Sequence, residues 1–112
     1  MFEILEKTET LAVVALSGRV DSAAARLLET EFENLVQSGR RFLVLDLAAV
    51  TLLASDGLKL LLRVEVFCKR SEGALALAAV PEAVVVVLEL AGFAPYFPRF
   101  PDVATARTRL EG

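Results

Sequence analysis

The stretch from Arg41 to Leu47 contains four consecutive apolar residues, Phe42-Leu43-Val44-Leu45, before Asp46, and so has no polar side to turn toward water. In a strand, successive side chains point to opposite faces, so a run that is apolar at every position has to be covered on both. That is the pattern of a central strand in a parallel sheet, which needs helices packed on the sheet and a helical crossover to the next strand. A chain built around such a segment is expected to be α/β.

The neighbouring segments fit that expectation. Phe2 to Lys7 and Leu11 to Ser17 are short apolar runs separated by Thr8-Glu9-Thr10, as in a strand pair opening a sheet. The second run places Ala12, Val14 and Leu16 on one face and Leu11, Val13 and Ala15 on the other, so it also calls for two covered faces. Gly18 is expected to end this strand, and Asp21 or Ser22 to cap a helix in which Leu28, Phe32, Leu35 and Val36 recur at helical spacing until Ser38-Gly39. After the central strand, Ala48 to Leu53 leads into Ala54-Ser55-Asp56-Gly57, a turn signal, and Leu58 to Arg70 is a run of good helix formers. On a helical wheel Leu60, Leu61, Val64, Phe67 and Cys68 share one arc, while Leu58, Leu62 and Val66 make a second apolar strip beside Glu65 and Lys69.

Ala74 to Val80 reads as another buried strand. Pro81 to Gly92 is locally ambiguous, because four consecutive valines from Val84 favour a strand while Pro81 suits a first helical turn and Gly92 a helix end. The spacing of Val84, Val87, Leu88 and Ala91 decides for a helix, and Val85, Val86 and Leu90 then cannot all face the core, which makes a homodimer conceivable. Tyr96 to Phe100 is expected as a short edge strand between prolines, and Asp102 to Leu110 as a last helix with Val103, Ala106 and Leu110 inward. The expected whole is one domain over residues 1–112, with a mostly parallel central sheet of about five strands and about four helices.

Composition removes several functions. There is no histidine, hence neither the common zinc ligand nor the usual general base near neutral pH, and no Gly-rich phosphate loop is present. No metal or cofactor is expected. A net charge of −3 has the wrong sign for gripping nucleic acid or anionic lipid. The single cysteine, Cys68, sits among apolar residues and reads as core rather than as half of a disulfide. The N-terminus, with Glu3 and Glu6, lacks the basic start of an export signal, and the apolar window Ala74 to Phe97 is interrupted by Pro81, Glu82 and Glu89, so neither export nor a membrane span is expected. A cytoplasmic location follows as the expectation.

The stretch that carries chemistry is Leu53-Ala54-Ser55-Asp56-Gly57-Leu58, which sets a hydroxyl between a buried strand and the start of a helix. Unpaired backbone N–H groups and the positive end of the helix dipole lie there, so a phosphate on Ser55, with about −1.5 to −2 charges, could be carried without unfolding the domain. The plainer alternative is that Ser55 or Asp56 is a helix N-cap and Asp-Gly a turn.

Taken together, these segments resemble the STAS domain, the family of bacterial anti-sigma factor antagonists, over nearly the whole chain. Leu16-Ser17-Gly18-Arg19-Val20-Asp21 is similar to the family's apolar-x-Gly-x-apolar-Asp signature. Ala54-Ser55-Asp56-Gly57-Leu58-Lys59-Leu60-Leu61 resembles its phosphoacceptor loop, and Val80-Pro81 with Leu88-Glu89-Leu90-Ala91-Gly92-Phe93 resembles the later strand-to-helix junction and helix end. Two positions depart from the pattern: Ala54 stands where Asp or Ser is frequent, and Asp56 puts a fixed negative charge where a small or hydroxyl residue is usual.

The resemblance implies partner switching and no catalysis by this chain. Ser55 aligns with the serine that a cognate anti-sigma factor kinase phosphorylates; the unmodified antagonist binds the anti-sigma factor and frees the sigma factor, and the phosphorylated one is released. A serine phosphatase is a further implied partner. The expected binding surface comprises Asp21, Ala54, Ser55, Asp56, Gly57, Leu58, Lys59, Leu62, Arg63 and Val66, with Leu58, Leu62 and Val66 as an exposed apolar strip; the plainer reading packs that strip against a neighbouring helix. The same fold also serves as a non-switching scaffold in stress-signalling complexes or as a small subunit of lipid-transport systems. A hydrolase using Ser55 would lack a base.

Overall fold

The computed structural model describes residues 1–111. The elements in chain order are β1 (Phe2–Lys7), β2 (Leu11–Val20), α1 (Ser22–Gln37), β3 (Phe42–Leu53), α2 (Ser55–Arg70), β4 (Ala74–Ala78), α3 (Glu82–Leu90), a 3₁₀ turn (Ala94–Tyr96), β5 (Arg99–Phe100) and α4 (Val103–Glu111). The five strands lie in the sheet in sequence order; β1 is antiparallel to β2 and every later pair is parallel. Each parallel connection steps one place in the same direction. Crossovers of one hand then put their helices on one face, and the core confirms it.

The strands divide their side chains by parity, as the two-sided apolar runs require. Ala12, Val14 and Leu16, Leu43, Leu45 and Leu47, and Leu75 and Leu77 share a buried cluster with Leu28 and Phe32 of α1, Leu60, Leu61, Val64 and Cys68 of α2, and Val84 and Leu88 of α3. The alternate residues Leu11, Val13, Val44, Ala76 and Ala78 form a second, smaller cluster closed by Ala106 of α4. Cys68 is fully buried, and desolvation, with Glu65 a lesser contributor, pushes its thiol up to about 12. None of the helices is long and apolar enough to cross a membrane among the described residues.

Several boundaries differ from the local reading. Gly18 does not end β2: the strand continues to Val20, with Gly18 at φ +76° and a register slip against β3 between Gly18 and Arg19. A left-handed residue lets the strand kink and resume, where a side chain would be strained. β3 correspondingly runs through Ala48 to Leu53 instead of stopping at Leu47, because β2 continues to pair with it. β4 stops at Ala78 rather than Val80, since Ala79 turns to φ 54°. The edge strand expected over Tyr96 to Phe100 shrinks to Arg99–Phe100, preceded by the 3₁₀ turn; Pro95 and Pro98 have no N–H to offer a ladder. The valine-rich segment is helical over Glu82–Leu90, with Pro81 before it and Gly92 at φ +76° after it.

Candidate functional site

The elements that begin at the C-terminal edge of the parallel strands bring most of the expected site residues together, whereas Val66 lies about three turns further along α2. At the end of β3, Ala54 takes an extended conformation, and its N–H donates to the carbonyl of Val20 at 3.1 Å, tying the entry of α2 to the end of β2. Gly57 is packed against the same place. A Cβ built on it would stand 2.7 Å from both Val20 O and Leu53 Cδ1, so glycine allows the first helical turn to lie directly on β2. For that reason Gly57 is buried and offers no side chain to a partner.

The helix therefore starts at Ser55, three residues earlier than Leu58, and Ser55-Asp56-Gly57 is its first turn rather than a loop before it. Neither Ser55 nor Asp56 is the N-cap. Ala54 occupies that position and no side chain caps α2, whereas Asp21 accepts a hydrogen bond from Ala24 N at 3.1 Å at the start of α1 and Asp102 accepts one from Thr105 N at 2.7 Å at the start of α4. That bond holds the Asp102 carboxyl below its ordinary range. The first-turn N–H groups of α2 have no intrahelical acceptor by the geometry of the helix, and Ser55 is solvent-exposed among them. Asp56, in the second helical position, is favourably placed for the dipole.

Of the expected apolar strip, only Val66 is fully on the surface, at 43% exposure. Leu58 and Leu62 are half-buried against the main core, so the strip is one exposed side chain flanked by two partly covered ones. The remaining surface is charged. Lys59 stands 4.0 Å from Asp56, with their side chains 66% and 49% exposed, and Arg63 pairs with Glu29 of α1 at 2.5 Å. Asp21 is partly buried and serves first as the α1 cap.

Sequence reasoning did not find the other half of this surface. Between α1 and α2 runs an open groove of about 310 Å³ lined by Ser22, Arg26 and Glu29 on one wall and Asp56, Lys59 and Arg63 on the other. The two helices are parallel crossovers on one sheet face, so both begin at the same edge and their first two turns lie side by side. Ser22, Arg26 and Glu29 recur at i, i+4 and i+7, a detectable stripe. Its opposition to α2, however, is a tertiary fact. Ser55 is exposed at the start of α2, one residue before Asp56 on the wall of this groove.

A family model described as STAS domain matches residues 4–106. The proposed anti-sigma factor antagonist BtrV of Bordetella bronchiseptica is 34% identical over 94 residues, covering 84% of this chain and 81% of that protein. A solved anti-sigma factor antagonist from Mycobacterium paratuberculosis superposes with a TM-score of 0.85 at 28% identity, covering 100% of this chain and 96% of that one. The anti-sigma factor antagonist SpoIIAA in its unphosphorylated form gives a TM-score of 0.83 at 19% identity, covering 97% of this chain and 96% of that one. The phosphorylated form of the Bacillus protein gives 0.76 at 17%, covering 97% and 98%.

Proposed function

The chain belongs to the STAS domain family, and from that premise we propose that it is an anti-sigma factor antagonist working by partner switching. In this reading the chain, with Ser55 unmodified, binds an anti-sigma factor that is also a serine kinase, and the sigma factor is thereby freed for transcription. Phosphorylation of Ser55 ends the complex, and a serine phosphatase resets it. The ATP chemistry belongs to the kinase; this chain is a cytoplasmic phosphoprotein that acts by binding. The names of the relative from Bordetella bronchiseptica and of the solved protein from Mycobacterium paratuberculosis support the assignment to antagonists.

The observation that carries the switch is the position of Ser55. Ser55 is an exposed residue and the first of an uncapped helix whose first turn is pinned to β2 through Ala54 and Gly57. A kinase can reach an exposed hydroxyl, and added phosphate meets unpaired N–H groups and a favourable dipole. The same charge, one helical turn from the half-buried Leu58, makes apolar burial by a partner at the head of α2 unfavourable. Binding residues in this reading are Ser55, Asp56, Lys59, Leu62, Arg63 and Val66, with Leu58, Ala54 and Asp21 at the margin.

The test uses the cognate kinase, ATP and mass spectrometry. The wild-type chain should gain one phosphate and Ser55→Ala none. Kinase binding should survive Ser55→Ala and weaken at least about tenfold on phosphorylation, roughly 1.4 kcal/mol. Continued phosphorylation of Ser55→Ala would remove the site assignment. Equal affinity of the modified and unmodified chains would favour a non-switching scaffold.

A further inference from the structure

Asp56 raises a difficulty for the site as read above: it is a fixed negative charge adjacent to the residue that would receive a dianion. The charges around it suggest how the fold meets this. Lys59 stands three residues after Asp56 and four after Ser55. At about 100° per residue it lies on the helix surface within about 40° of Ser55 and about 60° of Asp56, so one ammonium has both within reach. Its present contact with Asp56 is loose, at 4.0 Å between two exposed side chains. The next cation along α2, Arg63, is held by Glu29 at 2.5 Å, and Arg26 stands across the groove on α1.

Resting on the phosphorylation of Ser55 read above, we propose that Lys59 is an exchangeable counter-ion: it neutralises Asp56 while Ser55 is free and transfers to the phosphate once Ser55 is modified. A phosphate carrying nearly two charges and three acceptor oxygens outcompetes a single carboxylate for one ammonium. An acidic residue four positions N-terminal to a lysine is also the favourable orientation of a helical ion pair. The exchange has a second consequence. It leaves the Asp56 carboxylate without its cation on the wall of the groove facing Ser22 and Arg26. Modification at the head of α2 then changes the charge of a surface that two helices share.

The test places phosphoserine at position 55 of the full chain by synthesis, so that no kinase is involved, and follows the phosphate by ³¹P NMR through its second ionisation near about pH 6. At low salt, Lys59→Gln should raise the phosphate's pKa by roughly 0.15–0.4 unit, the effect of one singly charged i,i+4 pair, because the second ionisation adds one negative charge. Lys59→Arg should restore most of the wild-type value, and high salt should shrink the difference. Identical titrations for wild type and Lys59→Gln at low salt would overturn the exchange. A kinase that ignores Ser55 would instead overturn the function proposed above and leave this titration unchanged, so the two failures are distinct.

Discussion

Replacing Gly57 with alanine would press a methyl group to 2.7 Å from Val20 O and Leu53 Cδ1, and although the leucine can rotate, a carbonyl in a paired strand cannot easily retreat. Gly57→Ala should therefore destabilise the chain by about 1–3 kcal/mol, seen as a lower urea midpoint at constant slope. An unchanged midpoint would mean that α2 does not rest on β2 as described. Cys68 gives a second single-residue expectation. Its folded pKa of about 12 lies above the ordinary 9.0, so the folded state holds the proton more tightly than the unfolded one. The resulting stability is fully present below pH 9.0 and is lost as pH rises toward about 12. Cys68→Ala, less stable at neutral pH, should show a shallower alkaline decline than wild type in urea titrations; parallel declines would refute the assignment. At Ser55 itself, sequence made the hydroxyl legible as a helix-start group, yet could not tell a cap from a first helical residue. That distinction depends on where β3 ends, and β3 is prolonged by pairing with β2.

Helix α3 shows how an element can contradict its own propensity. Four valines in a row favour extended backbone, but the segment lies between β4 and β5 of a sheet whose parallel neighbours require a crossover. Helical winding sends Val84 and Leu88, one turn apart, into the main core and leaves Val86 and Leu90 outside at 41% and 84% exposure. Leu88→Ala should cost about 2–5 kcal/mol, whereas Leu90→Ser should stay within about 0.5 kcal/mol. Comparable losses from both, measured by chemical denaturation, would show that this face is covered, as by the homodimer that the sequence allows. Helix α2 illustrates the converse. Its second apolar strip is available on a wheel, but the wheel does not show that Leu58 and Leu62 already rest against the main core.

For the whole molecule, the placement of the candidate site has a thermodynamic consequence. Ser55 is exposed and lies at the favourable end of a helix, while the clusters on both sheet faces are made elsewhere. Phosphoserine at position 55 should shift global stability by no more than about 1 kcal/mol, because the attractions to the helix terminus and to Lys59 and the repulsion from Asp56 are each of that order or less and oppose one another. Urea denaturation of the modified and unmodified chains checks this. A loss of several kcal/mol would mean that modification unfolds the domain, a different mode of control from a change in surface charge.

By itself the sequence determined the class of fold and the position of the hydroxyl. Runs that are apolar at every residue need covering on two faces, the intervening segments repeat at helical spacing, and the absence of histidine removes the commonest catalytic and metal chemistry. Those properties are encoded in neighbouring residues, and one chain displays them. Only the tertiary structure decided that Gly57 is buried, that Leu58 and Leu62 are half-covered, and that Arg26 and Glu29 of α1 share a groove with Asp56, Lys59 and Arg63 of α2. The physical reason is that exposure belongs to a pair of elements and not to either alone. Arg63 meets Glu29, 34 residues earlier in the chain, because two parallel crossovers of the same hand set α1 and α2 side by side on one sheet.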